Sequence, residues 1–463
     1  MDGDVRINPY LAGNFAPVRS EDDFDLKVTG EIPAGLRGAL FRIGPNPQFE
    51  PLDPNHHWFG GDGMVHGFYV ADGKVSYRNR YVQTPKWKLE NEHGRVLFGT
   101  MGNPMTTDPI AQGNEGGTGN TNIIWHAGKL LALEEAHHPF GMDPATLEST
   151  GYDREFKGKV TAHPKIDPKT GEMFWFAYGV GDMPLSAGMS YGITAADGTL
   201  KRRQEFQAPF GAMVHDFMVT QKHALFPILP LTSSLERAMT GRPPFAWEPE
   251  KGSHVGVMLR DGDVSDIRWF NTEACYVFHP LNSWDDGDKI HCDVMRYDVA
   301  PLFPNADGSP GAKSAARLVR WTFDLAGASN AIKETVLDDI DGEFPRVDPR
   351  YETLEHRHAW YAADPSGSKT VRLNSLAHLD LKTGKRQVYE LDGNDATSEP
   401  VFVPRSATAD EGDGWLTAVF YRAGDNRSDL AIFDAQDIAK GPIGVAQMPR
   451  RMPFGFHGNW ASF

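Results

Sequence analysis

The amino-acid sequence predicts an all-β protein closed as a propeller, and three observations lead there. Glycine and proline are frequent, 48 and 33 in 463 residues, against ordinary usage of about 7% and 5%, and they are spread along the whole chain as many turns require. Short apolar runs broken by glycine-containing turns recur from end to end, and helical periodicity is scarce. Taking the elements in order, residues 65–70 lead through Ala71-Asp72-Gly73 into 74–81. The Asp-Gly pair tolerates the positive φ of a tight strand reversal, so this is a hairpin. The same grammar returns where Asp167-Pro168-Lys169-Thr170-Gly171 leads into 173–178, at 254–259 with Asp261-Gly262, at 376–381 with Lys382-Thr383-Gly384, and from 415–421 to 430–433. Short helices are expected at 233–239 and 330–335, each inside a connection. The Pro/Gly-rich stretches 42–54, 100–121 and 240–253 are flanked by hydrophobic or aromatic residues and read as ordered loops over a core. No linker divides the sequence, which therefore reads as a single domain, 1–463, with 1–35 as an N-terminal extension packing on the propeller. Seven blades would take about 66 residues each. No repeat of fixed period is visible, and on composition alone a double β-sandwich also fits.

Composition also sets exclusions. With 46 basic and 62 acidic residues the net charge is −16, which argues against a nucleic-acid partner, since phosphate binding needs a basic surface. Two cysteines, Cys275 and Cys292, exclude a disulfide framework and a cysteine-rich zinc module. No run of 18 apolar residues occurs, and Met1-Asp2-Gly3-Asp4-Val5-Arg6 holds no apolar core of a signal peptide, so no transmembrane segment and a cytoplasmic location are expected.

Four of the 17 histidines share a context. His163 in Thr161-Ala162-His163-Pro164, His215 in Val214-His215-Asp216-Phe217, His279 in Val277-Phe278-His279-Pro280 and His457 in Gly455-Phe456-His457-Gly458 each end an apolar, strand-like run beside a residue that turns the chain. Inner strands of a propeller converge on its axis, so four such ends from different blades can aim imidazoles at one point. A histidine beside a turn is ordinarily a capping or surface residue, and spacing alone does not assign these four. The segments Trp58-Phe59-Gly60-Gly61-Asp62-Gly63-Met64-Val65-His66, Thr161-Ala162-His163-Pro164-Lys165, His215-Asp216-Phe217, Phe278-His279-Pro280-Leu281-Asn282, Gly342-Glu343-Phe344-Pro345-Arg346, Ser398-Glu399-Pro400-Val401-Phe402-Val403-Pro404 and Gly455-Phe456-His457-Gly458 together resemble those of the carotenoid cleavage oxygenase family. They stand in the family's order from about residue 40 to the end, and length and N-terminus look most like the bacterial lignostilbene dioxygenase branch.

The resemblance implies a seven-bladed β-propeller with a loop and short-helix cap over its top face, and Fe(II) on the axis bound by His163, His215, His279 and His457. Neutral imidazoles suit Fe(II) and leave positions for O₂. It further implies an outer set of glutamates, Glu135, Glu343 and Glu399, each accepting the far N–H of an imidazole to fix its tautomer and ring plane. The reaction implied is O₂-dependent cleavage of a carbon–carbon double bond into two carbonyl products, with an aryl alkene of the stilbene or lignostilbene kind as substrate. Relatives in this branch are often homodimers.

Phe59 matches an aromatic residue lining the substrate cavity of that branch. A Tyr and a Lys that grip the substrate's phenolic hydroxyl there are replaced at the matching positions by Met101 and Glu134, so a substrate whose activation does not depend on phenolate is expected. The same iron site would also serve a carotenoid or apocarotenoid, for which 224–231 could supply an apolar entrance, although that segment reads better as a buried strand beside His215. A propeller that binds without catalysis would need a broken ligand set. His56, His57, His66, His137 and His138 are expected to pack or hydrogen-bond near the top of the propeller, and His356 and His358, in a charged stretch, to be solvated. Cys275 is expected in the core. Phe278 and Phe456, each one residue before a histidine of the set, are expected on the other side of their strands, in the core.

Overall fold

The Asp-Gly hairpin forms as its sequence requires: Asp72 and Gly73 take φ of 51° and 75°, the geometry of a two-residue turn matched to strand twist, and Ala71 pairs with Lys74 across it. Lys74–Tyr81 alternates buried and more exposed positions, whereas Gly38–Pro45, covered on both faces, is buried throughout. The computed structural model describes residues 8–53, 56–99, 106–368 and 373–462.

Antiparallel sheets arranged as seven blades make up the fold. In chain order, the second to sixth blades begin with Asn122–His126, Lys165–Ile166, Met218–Val219, Tyr276–Asp286 and Asp341–Arg346, and each runs outward through three further strands. The seventh contains Gly414–Arg422, Arg427–Asp434 and Gly444–Gln447. Both chain ends close the ring. Gly458–Ala461 adds to Gly38–Pro45 in the first blade, while Asp23–Asp25 pairs on that blade's outer edge and Lys27–Gly30 on the outer edge of the seventh. Within residues 8–16, Tyr10 and Phe15 pack against Trp58 at ring separations of 6.4 and 5.1 Å.

Between blades the core is large and aromatic. Trp175, Trp321 and Trp360 are fully buried, a burial of about 2–3 kcal/mol each. Each indole N–H is satisfied, by Thr194, Glu334 and the Ala435 carbonyl at 3.0, 2.9 and 2.7 Å. Gly192 faces Trp175 across the ladder, where a Cβ would lie 2.1 Å from the indole. Glycine is required there by the ring, since its φ is unexceptional.

Two expectations are corrected, and one further helix is present. Residues 330–335 hold no helix; Lys333–Val336 is the outer strand of the fifth blade, because pairing with Ala316–Asp324 supplies backbone partners that a single turn of helix would lack. A helix unseen in the sequence spans Pro85–His93, capped by the Thr84 side chain and ended by Gly94 at φ 66°. Its buried residues are Lys86 and Glu90, so no apolar stripe marks it; Lys86 instead bonds Asp62 and Glu90 at 2.6 and 2.7 Å. His356 and His358 are buried, at 6% and 3% exposure. Asn282 and Asp293 lie beside His356 at 3.2 and 3.5 Å, and His378 beside His358 at 3.0 Å, so local charge in the sequence misreads them. The expected helix near 233–239 is present as Leu235–Met239, and His223–Ile228 is a buried strand. No helix among the described residues is long and apolar enough to cross a membrane.

Candidate metal centre and its cavity

Four blades deliver the histidines to one point. His163 stands just before the inner strand of the third blade, His215 before that of the fourth, His279 within that of the fifth and His457 immediately before Gly458–Ala461 of the first. A register irregularity between Val277 and Asn282 turns His279 inward from an otherwise regular strand. One nitrogen from each ring lies within 4.8 Å of the others. Nε2 of His215 is 3.0 Å from that of His163 and 3.2 Å from that of His279.

Carboxylates hold three of the rings. Nδ1 of His215 bonds Glu135, Nδ1 of His279 bonds Glu343 at 2.5 Å and Nδ1 of His457 bonds Glu399 at 3.0 Å. An ionised carboxylate only accepts, so each Nδ1 carries the proton and each Nε2 presents a lone pair. The three glutamates are themselves placed by the fold. The Tyr178 hydroxyl donates to Glu135, the Tyr297 hydroxyl to Glu343 at 3.2 Å, and the Gly458 N–H to Glu399 at 2.9 Å. Burial pushes the Glu399 carboxyl up, but Arg346, His457 and Arg42 outweigh it and hold it at about 2. His163 and His457 are kept neutral by burial and by the neighbouring rings, His457 at about 3. At His279 the Glu343 carboxylate outweighs burial and draws the ring upward.

This donor set fits a metal ion. The Nε2 atoms of His215 and His279 lie 3.2 Å apart with both Nδ1 nitrogens committed to glutamates, and lone pairs so placed repel one another unless a cation stands between them. The residues could hold one ion through four neutral imidazoles with no carboxylate in direct contact.

A cavity of about 630 Å³ opens beside the four rings, lined by Trp58, Phe59, Phe278, Phe344, Phe454 and Phe456 among others. Phe278 and Phe456 are buried in apolar clusters as expected, but their rings also line the cavity in place of turning away from it; Phe278 lies with its ring centre 5.2 Å from that of His215, and Phe456 4.4 Å from Trp58. The register shifts beside Phe278, and Phe456 precedes its strand, which begins at Gly458, so alternation of sides does not govern either. Phe59 lies 5.4 Å from Phe456, its carbonyl held by Asn120 at 2.8 Å. Phe344 has φ of 55°, a left-handed conformation costly for a bulky residue, and stacks on His279 at 5.4 Å. Neither this backbone strain nor the roles of Tyr178 and Tyr297 carries a local sequence signal, although both tyrosines end regular strands.

Glu134 lines the same cavity. One oxygen accepts from Thr118 N–H at 2.8 Å, Thr118 Oγ1 at 2.5 Å and Gly119 N–H at 3.2 Å, and the other takes Nδ1 of His137. Burial raises the carboxyl, yet His137 and Thr118 outweigh it and keep it at about 2. Met101 lies outside the described residues. Cys275 is buried, bonded to Ser253 away from the histidines.

Comparison with known proteins agrees with this geometry. Residues 15–462 match the family model described as retinal pigment epithelial membrane protein. The chain is 40% identical to isoeugenol monooxygenase of Pseudomonas putida, over 99% of this chain and 98% of that protein. It is 39% identical to lignostilbene-α,β-dioxygenase isozyme III of Sphingomonas paucimobilis, over 97% and 96%. The crystal structure of lignostilbene dioxygenase from Pseudomonas brassicacearum superposes with a TM-score of 0.94 at 38% identity, covering 98% of this chain and 99% of that one. The chain belongs to the retinal pigment epithelial membrane protein family, that of the carotenoid cleavage oxygenases.

Proposed function

We propose that this protein is a non-haem Fe(II) dioxygenase that cleaves the carbon–carbon double bond of an aryl alkene, R–CH=CH–R′, with O₂ to give R–CHO and R′–CHO. The observation that carries the reading is the aromatic cavity opening directly onto four converging imidazoles, in a chain about 40% identical to proteins named for isoeugenol and lignostilbene. His163, His215, His279 and His457 hold the iron, which when bound supplies the activation of O₂. Glu135, Glu343 and Glu399 keep the Nδ1 protons of three rings, so the Nε2 lone pairs stay turned to the centre. Trp58, Phe59, Phe278, Phe344 and Phe456 exclude water and pack against a flat conjugated substrate. Met101 and Glu134 replace the groups that grip a phenolate in relatives. Ionised Glu134 repels a phenolate and accepts from a neutral hydroxyl.

Metal analysis after anaerobic purification tests this. The wild type is expected to hold one iron per chain, and His163→Ala and His457→Ala to lose it; stoichiometric iron in both variants refutes the ligand set. Incubation of the iron-loaded enzyme with an aryl alkene and, separately, with an apocarotenoid is expected to give aldehydes from the first.

A further inference from the structure

Three histidines of the centre donate Nδ1–H to a glutamate, and the fourth does not. Nδ1 of His163 faces the Asp216 carboxylate at 3.7 Å, beyond hydrogen-bond distance. Asp216 is buried, at 4% exposure, and its oxygens are already committed. Lys165 Nζ reaches Oδ1 at 2.8 Å and Oδ2 at 3.1 Å, and the Phe217 N–H donates to Oδ1 at 2.6 Å. Lys165 follows His163 by two residues, and Asp216 follows His215. The chain thus places beside each of two neighbouring histidines one half of an ion pair, and the pair closes behind His163.

We propose that Asp216 is a positioning residue for His163, the outer carboxylate of the fourth imidazole, and that Lys165 sets how strongly it acts. The carboxylate fixes the His163 tautomer, with the proton on Nδ1 facing Asp216 and the lone pair on Nε2 facing the centre. Because Lys165 draws the charge of Asp216 away from Nδ1, His163 is the least basic and the most weakly held ligand of the four. Removing the two partners should therefore have opposite consequences. Loss of the Asp216 charge weakens His163 as a ligand; loss of the Lys165 charge releases the carboxylate to Nδ1–H and strengthens it.

The inference rests on the metal-site reading above, and the experiment separates the two. Apoprotein of the wild type, D216N and K165M is titrated with Co(II) against a chelator of known affinity, with the visible spectrum recorded at saturation. D216N is expected to weaken Co(II) binding by about 10-fold, and K165M to tighten it several-fold, each with a shifted ligand-field band. An ion pair that merely braces the fold would move both variants in the same direction; that result, or two unchanged affinities, overturns the proposal. K165Q keeps a hydrogen bond to Asp216 without the charge and carries the same expectation where K165M does not fold. H163A is the control: should it bind Co(II) as tightly as the wild type, the metal site itself is misassigned and the inference falls with it.

Discussion

Glu134 and Glu135 are neighbours in the chain and both line the cavity, yet the fold uses their carboxylates in contrary ways. Glu135 turns outward from its strand end to Nδ1 of His215 and the Tyr178 hydroxyl, two donors that belong to the third and fourth blades. Glu134 turns the other way and spends its oxygens on Thr118, Gly119 and His137, close by in its own blade and the loop before it. The first carboxylate reaches across blades to a histidine of the candidate centre; the second is locked into the cavity wall by Thr118, Gly119 and His137. The strand ends at Leu133 and the chain bends from Glu135 onward, and that bend sends two neighbouring carboxylates to different partners.

The sharpest way to break this comparison is at Glu135. Glu135→Gln removes the charge behind His215 and is expected to lower Co(II) or Fe(II) affinity by about 10–100-fold, read by chelator competition, with folding preserved in circular dichroism. An unchanged affinity would place Glu135 with Glu134, as a wall residue.

Glu134→Gln should leave metal content at the wild-type level and act on selection instead. The wild type is expected to cleave 4-hydroxystilbene and its 4-methoxy analogue with kcat/KM values within about 10-fold of each other. In the variant that ratio should move several-fold, because the charge facing the hydroxyl is gone. A strong requirement for the free hydroxyl in the wild type would show that activation runs through phenolate after all.

The smallest effect is on stability against acid. Glu134 is held at about 2, below its ordinary 4.5, so its contribution is present above pH 4.5 and is lost as the pH falls toward 2. Urea midpoints measured across that window should fall less steeply in Glu134→Gln than in the wild type. Parallel slopes would mean that the Thr118 and His137 bonds add nothing to folding.

Much of this arrangement is legible in the residues. The Asp72-Gly73 hairpin, the strand 173–178 and the buried run around 224–228 follow from turn chemistry and alternation, which act over a few residues and so are written locally. The four histidines stand out because each ends an apolar run beside a turn, and the motifs around them carry the family resemblance. The helix Pro85–His93 was hidden because its buried positions are charged, Lys86 against Asp62 and Glu90, so neither composition nor period betrays it. His356 and His358 mislead for the same reason: their partners, Asp293 and His378, come from other strands.

By itself the sequence determines an all-β chain and the residue types of a candidate histidine metal site, since these depend on local chemistry and identity. Tertiary structure alone decides which polar atom faces which. Phe278 and Phe456 are turned into the cavity, Phe344 is held at a positive φ over His279, and Asp216 lies 3.7 Å behind His163 with its charge already shared with Lys165. Each depends on where strands from different blades end on the axis, and that is set by packing of whole blades against one another, at sequence separations over which no local preference acts.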